Sequence, residues 1–265
     1  MWLSDIESEL RAQAEGLNLF DASAWLGRTE HFPLMPEGTP SLLQNVQERS
    51  YIREALVSWW PEGKDASQES NQALLDAVRG HPGWHATLTV QPLFPADPGS
   101  PATPEWLWPA AVRAVRVFPA TFQFELVDWC VGSLCELLLE RRLPLFVLHT
   151  ETAWRHVHDL AKRYPDLKIV VESQPKKILY HTRMLLPLMQ ACPNVHVEIS
   201  NFCSLGLIKY TVNTLGPDRL LFGTFAPAND PLVPLGLLLH ADISQEARAA
   251  IAGGNIRRIL SEVEL

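Results

Sequence analysis

A single (β/α)₈ barrel is the fold class this chain predicts, and three observations carry the prediction. Short β-rich runs alternate with helical runs along most of its 265 residues. Eight such units can be counted, the number that a TIM barrel of about 250 residues contains. The composition, 47% hydrophobic and 20% charged, supplies the large core such a barrel has to bury. One domain spanning residues 1–265 is therefore expected.

The strand candidates are Leu17–Phe20, Ala55–Ser58, Ala86–Gln91, Val112–Phe118, Leu145–His149, Lys168–Val171, Val195–Ile199 and Arg219–Phe222. Helical stretches lie around Asn71–Arg79, Leu126–Glu140, Ala153–Arg163, Lys177–Ala191 and Gly206–Leu215. Regular alternation of this kind implies a parallel sheet covered by helices. The punctuation agrees. Pro144 precedes the fifth strand, and "YPDLK" and "CPNVH" turn helices into strands. Ser244 can cap a closing helix whose first turn carries Glu246. A doubly wound open sheet is the alternative, but its first turn is normally glycine-rich, and "DASAWLG" is not. The Pro/Gly-rich loops Thr29–Pro40 and Pro92–Pro104 follow strands one and three, where they can serve as active-site lids or as plain surface insertions.

Charge and composition exclude several classes of function. Lys+Arg is 22 against 30 Asp+Glu, a net charge of -8. No basic cluster exceeds Lys176-Lys177, Arg141-Arg142 or Arg257-Arg258, so nucleic acid is not an expected partner. The acidic N-terminus does not read as a signal peptide, and no run reaches the roughly 18–20 apolar residues of a bilayer span. A cytoplasmic protein without membrane contact is expected. Its four cysteines (Cys130, Cys135, Cys192, Cys203) form no C-x-x-C pair and read as buried free thiols. A small-molecule ligand and self-association stay open as partnerships.

His156-Val157-His158 looks like a metal motif, but it lies in a segment of helical period. Residues two apart on a helix point about 200° away from each other, so the pair cannot share an ion.

A stronger signal runs through the whole chain. "LFDASAWLG", "EALVSWW", "AVRVFP", "LPLFVLHTE", "YPDLKIVVES", "CPNVHVEIS", "GPDRLLFGTFAP" and "AIAGGNIRRIL" occur in that order between about Leu17 and Leu260. Together they resemble the amidohydrolase-2 branch of the metal-dependent amidohydrolases. The resemblance implies a barrel with its active site at the C-terminal face of the strands. It also implies a set of metal-binding and catalytic positions that this chain fills unusually. The family's first strand carries Asp-x-His-x-His, and here those places hold Asp21, Ser23 and Trp25. The fourth strand's lysine and histidine are matched by Arg116 and Phe118. The fifth-strand histidine is present as His149, the sixth-strand one is Ser173, and the catalytic aspartate after strand eight is Phe225.

A catalytic zinc site needs about three protein ligands and an open position, and His149 is the one ligand the carry-over retains. No metal and no other cofactor is therefore expected. Trp25 and Phe225 are expected close together, either plugging the barrel mouth or lining a dry pocket. Arg116, inside the barrel, needs a partner: Asp21 in a structural ion pair, or the carboxylate or phosphate of a ligand. If Ser173 points inward, Glu172 should face the helix layer unless the strand has already ended. His149 can be a general base, with Glu151 or Ser173 in reach, or a hydrogen-bonded relic or substrate contact. No G-x-S-x-G elbow supports Ser23 or Ser173 as a nucleophile.

Two functions follow. One is a degenerate amidohydrolase-like barrel without metal catalysis, binding a small organic ligand or a protein partner. The other is a hydrolase or decarboxylase of a small organic acid, with a metal-independent or weak-metal site rebuilt around His149 and Arg116. Asp21, Ser23, Trp25, Arg116, Ser173 and Phe225 are the candidate substrate-binding residues in either case.

Overall fold

Eight parallel strands hydrogen-bond in strict chain order, each to the next. They are β1 (Phe20–Leu26), β2 (Glu54–Trp59), β3 (Trp84–Thr89), β4 (Val112–Val117), β5 (Leu145–Leu148), β6 (Ile169–Glu172), β7 (Val195–Glu198) and β8 (Leu220–Leu221). The computed structural model describes residues 9, 12–28, 37–61, 68–92, 110–174 and 182–264. Backbone bonds from Ala22 N to Phe222 O (2.9 Å), Phe225 N to Ser23 O (2.8 Å) and Trp25 N to Ala226 O (2.8 Å) join the β8 end back to β1. The sheet thereby curls into a TIM barrel, with helices packed around it.

The helices are α1 (Pro40–Arg49), α2 (Gln68–Arg79), α3 (Asp128–Glu140), α4 (Trp154–Arg163), α5 (Thr182–Ala191), α6 (Leu207–Leu215), α7 (Leu232–Leu239), α8 (Gln245–Ala249) and α9 (Asn255–Ser261). Thr39 and Ser244 cap α1 and α8, accepting from Leu42 N and Ala247 N at 3.2 Å each. Neither α1 nor α7 is foreseen by the sequence reading above. The α7 segment LVPLGLLL is so uniformly apolar that it has no helical period to detect.

The strands are buried on both faces, as parallel barrel strands must be. The two faces belong to different cores. Leu145, Val147, Ile169, Val171, Val195 and Val197 belong to the large cluster shared with the helices. Phe20, Ala22, Leu56, Ala114, Phe146, Val170 and Leu221 form a second cluster with Ile256, Ile259 and Leu260 of α9. The alternation between these sets fixes Ser58, Arg116 and Glu172, each two residues further along its strand, as pointing into the barrel.

The segments GPDRLLFG and AIAGGNIRRIL hold each other. The Asn255 amide donates to Pro217 O (2.8 Å) and Leu220 O (2.9 Å), tying α9 to the start of β8. A Cβ on Gly253 would lie 2.8 Å from Asn18 O and closer still to the Arg257 guanidinium, so only glycine allows this approach. Arg257 then reaches Asn18 O at 2.9 Å and Glu54 Oε1 at 2.7 Å.

Several expectations need correction. The first strand shares only Phe20 with the predicted Leu17–Phe20; it runs on through the DASAWL segment, with a register shift between Asp21 and Ala24. Asp21 is therefore the second residue of β1 and not its end. The four cysteines are free, but only Cys135 and Cys192 are buried; Cys203 is exposed. Residues 29–36 and 93–104 of the two long loops, Lys176-Lys177 and the start of the predicted Lys177–Ala191 helix lie outside the described residues. No described helix is long and apolar enough to cross a membrane.

Candidate active site

An ion pair occupies the middle of the barrel. Arg116, the penultimate residue of β4, donates from Nε to Glu172 Oε2 (2.8 Å) and from Nη2 to Glu172 Oε1 (2.5 Å). Glu172 is the last residue of β6, and neither side chain has any solvent exposure. Ser23 Oγ also donates to Glu172 Oε1 at 2.7 Å, and Arg116 Nη1 contacts Ser58 Oγ. The guanidinium carbon lies 4.1 Å from the Trp25 ring centroid and 5.4 Å from that of Phe146. The predicted partner Asp21 is thus replaced by Glu172. The reason is register: Val170 and Glu172 are the inward residues of β6, and Ser173 already begins the loop. The exception to a helix-facing Glu172 therefore applies: the strand has ended before Ser173, and Glu172 faces inward.

Asp21 has another task. Its Oδ1 accepts from Ser23 N and Thr224 N at 2.9 Å each, and its Oδ2 from Thr224 Oγ1 at 2.5 Å. These bonds stitch β1 to the loop after β8. Burial is the largest influence on the carboxyl and pushes its pKa up to about 6 despite the donors from Thr224 and Ser23.

A second carboxyl, Glu198 at the end of β7, shows a stronger effect. It is fully buried and lies beside Glu172, and burial followed by that like charge pushes it up to about 8. Ser200 donates to it through its backbone N and its Oγ (2.9 Å), and Ser173 Oγ stands 3.3 Å from Oε2. At neutral pH Glu198 is mostly a neutral acid. Gly223 makes room for it: a Cβ there would lie 2.5 Å from Glu198 Cγ.

Above this polar layer sits an aromatic cluster of Trp25, Trp60, Phe118, Phe122 and Phe225, joined by Leu148. The Trp25 ring centroid is 4.6 Å from Trp60, 5.3 Å from Phe225 and 6.2 Å from Phe118. Trp25 Nε1 donates to Ser23 Oγ at 3.1 Å. Phe225 adopts φ +60°, a left-handed conformation that disfavours a residue with a Cβ by about 1–2 kcal/mol.

The remaining candidates sit at the rim. His149 directly follows β5; its Nδ1 lies 3.1 Å from Glu172 O and its ring stacks on Trp154 at 6.2 Å. Glu151 accepts from Thr121 N (2.9 Å) and Thr121 Oγ1 (3.1 Å). Ser173 Oγ is shared among Glu198, Ser200 Oγ (3.3 Å) and Asn201 N (2.9 Å). His156 and His158 stay on α4 as the helical period requires, His158 facing Asp159 at 2.8 Å.

Sequence reasoning did not single out Ser58, Thr224, Glu198 or Ser200, and it misdirected Glu172. A usable signal existed. An acid that closes an otherwise apolar buried strand, as in IVVE and VHVE, has nowhere to point but into a polar pocket.

The residues present do not fit the metal that the resemblance implies. Among the described residues, no three His, Cys, Asp or Glu side chains converge as a metal site. Ser23 and Trp25 offer no imidazole, and both Glu172 oxygens are engaged by Arg116.

Comparisons with known proteins agree with the fold. An uncharacterized TIM-barrel protein from Bordetella bronchiseptica superposes with a TM-score of 0.73 at 15% identity, over 92% of this chain and 98% of that one. The 5-carboxyvanillate decarboxylase of Sphingomonas paucimobilis gives 0.66 at 14% identity, over 92% and 99%. A 2,6-dihydroxybenzoate decarboxylase from Rhizobium gives 0.68 at 13% identity, over 92% and 98%. No curated protein matches the sequence. The family model described as Amidohydrolase matches residues 66–261, and the chain belongs to that amidohydrolase family.

Proposed function

We propose that this barrel decarboxylates a small aromatic organic acid at its C-terminal face without a metal ion, with Glu198 as the proton donor. The observation that carries the reading is Glu198 itself, a buried carboxylic acid raised to about 8 at the end of a barrel strand. Loss of CO₂ leaves an electron pair on carbon. Glu198 supplies the proton that turns that pair into a C–H bond and is then reprotonated from water. Ser173 and Ser200 orient the acid through the hydrogen bonds already described. Trp25 and Phe225 offer ring faces to an aromatic substrate, and His149 is a substrate contact at the rim. Asp21, Ser23 and Arg116 hold the wall and do not touch the substrate. The decarboxylases among the structural neighbours support the reaction class.

The test is direct. Protein treated with a chelator is incubated with a panel of hydroxybenzoates, and loss of CO₂ is followed by mass spectrometry. Turnover that disappears in a folded Glu198→Gln variant is expected. Turnover that survives this substitution removes Glu198 from the mechanism, and no turnover of any panel member defeats the reading as a whole.

A second reading, a non-catalytic binder of the same acids, rests on a different observation. The polar groups around Arg116 already satisfy one another beneath an aromatic cover, so substrate entry requires that cover to part. Melting temperatures raised by the panel acids without turnover would favour it.

A further inference from the structure

Three carboxyl groups, Asp21, Glu172 and Glu198, are fully buried within one barrel end. Glu172 lies between the other two electrostatically, since its charge acts on both. Buried carboxylates need a cation, and in a metal-dependent barrel a divalent ion meets that need. Here the cation hydrogen-bonded to Glu172 is Arg116.

We propose that the Arg116 guanidinium is the resident cation of this barrel, permanently occupying the charge-balancing role that a divalent metal has in metal-dependent relatives. Its surroundings match that role. The guanidinium lies against Trp25, and its partner Glu172 is bonded to Ser23. These are the two first-strand positions at which the family resemblance places histidine ligands. The fork takes one hydrogen bond on each Glu172 oxygen, and Ser23 takes a further lone pair on Oε1. A metal ion would have to displace both donors and the Trp25 ring. Arginine suits the task because it stays charged at every accessible pH and is less strongly hydrated than an ammonium group. The inference concerns the charge inside the barrel and does not depend on the reaction proposed above.

Metal content and stability test it. Elemental analysis of the purified chain should find no stoichiometric Zn²⁺, Mn²⁺ or Fe²⁺. The wild-type melting temperature should be the same in chelator as in added Zn²⁺ or Mn²⁺. Arg116→Met keeps much of the bulk but strands the carboxylate, and should lower the melting temperature by roughly 10 °C. Adding Glu172→Gln to that variant removes the stranded charge and should restore at least half of the loss. If Arg116→Met alone does not fold, a folded double variant supports the proposal. About one metal ion per chain in the wild type overturns it. So does an Arg116→Met protein as stable as wild type, or a double variant no more stable than the single one. These readouts are separate from CO₂ release, so failure here and failure of the proposed reaction can be told apart.

Discussion

Replacing Glu198 by glutamine removes one titrating group while keeping its shape and most of its hydrogen bonds. The folded protein holds the Glu198 proton far more tightly than the unfolded chain does, because burial and the Glu172 charge raise its pKa from 4.5 to about 8. Between these two values the folded state binds more protons than the unfolded state, so stability falls as pH rises. The effect is fully absent below about pH 4.5 and complete above about pH 8, and it totals on the order of 5 kcal/mol. Across that window the slope approaches about 1.4 kcal/mol per pH unit. For a domain of this size that corresponds to roughly 3–5 °C of melting temperature per unit. Asp21, raised to about 6, adds a loss in the same direction between about pH 4 and pH 6. Calorimetric melts of wild type and Glu198→Gln from pH 5 to pH 9 provide the assay. The two proteins should melt alike near pH 5, diverge up to about pH 8 with the variant becoming the more stable, and run parallel above it. Parallel curves across the whole range would refute the argument, since they would mean that Glu198 titrates no differently in the folded chain.

Two further outcomes follow from packing. Trp25→Ala removes the ring at the centre of the aromatic cluster and uncovers the Arg116 guanidinium; it should destabilise the fold by about 3–5 kcal/mol in urea titrations. A loss below about 1 kcal/mol would show that the cluster is loosely packed. Asn255→Ala removes the side-chain amide that bridges the Pro217 and Leu220 carbonyls, although Pro217 O keeps the Leu220 N–H at 3.1 Å; it should lower stability by about 1–3 kcal/mol and speed amide hydrogen exchange in α9 and β8 first. Uniform acceleration throughout the barrel would contradict a local tie.

The barrel was legible because its strands are buried on both faces, and LFVL or VRAVRV bounded by turns and helices can hardly be read otherwise. The first strand was not. Its DASAW segment mixes small and polar residues, because part of its side-chain layer serves a polar cluster and not a hydrophobic core. Candidate residues were found by family position, which identifies where a side chain sits along a strand but not which way it faces. That is how Arg116 was placed inside the barrel yet given the wrong partner. Its true partner depends on whether Val170 and Glu172 or Val171 and Ser173 face inward, and a single residue of register reverses the direction of the acid. No family position falls on Glu198; its importance arises from burial beside another carboxylate, which only the three-dimensional arrangement creates.

The unusual residues of the barrel mouth form one connected structure. Phe225 keeps its left-handed backbone while its N–H bonds Ser23 O at 2.8 Å and its ring packs on Trp25. Trp25 in turn donates to Ser23 Oγ and covers Arg116. Ser23 hydrogen-bonds Glu172, which Arg116 neutralises. The four positions 23, 25, 116 and 225 are thus mutually dependent, and substitutions among contacting residues are not additive. Putting histidine at position 25 alone would remove the cover from a buried ion pair without releasing Glu172 from Arg116. The imidazole would gain no carboxylate neighbour free to share a metal ion. Only simultaneous replacement of Trp25 and Arg116 would free both a coordinating site and the charge that now fills it. The mouth therefore holds together as a unit: each of these side chains supplies the contact that makes the next one tolerable.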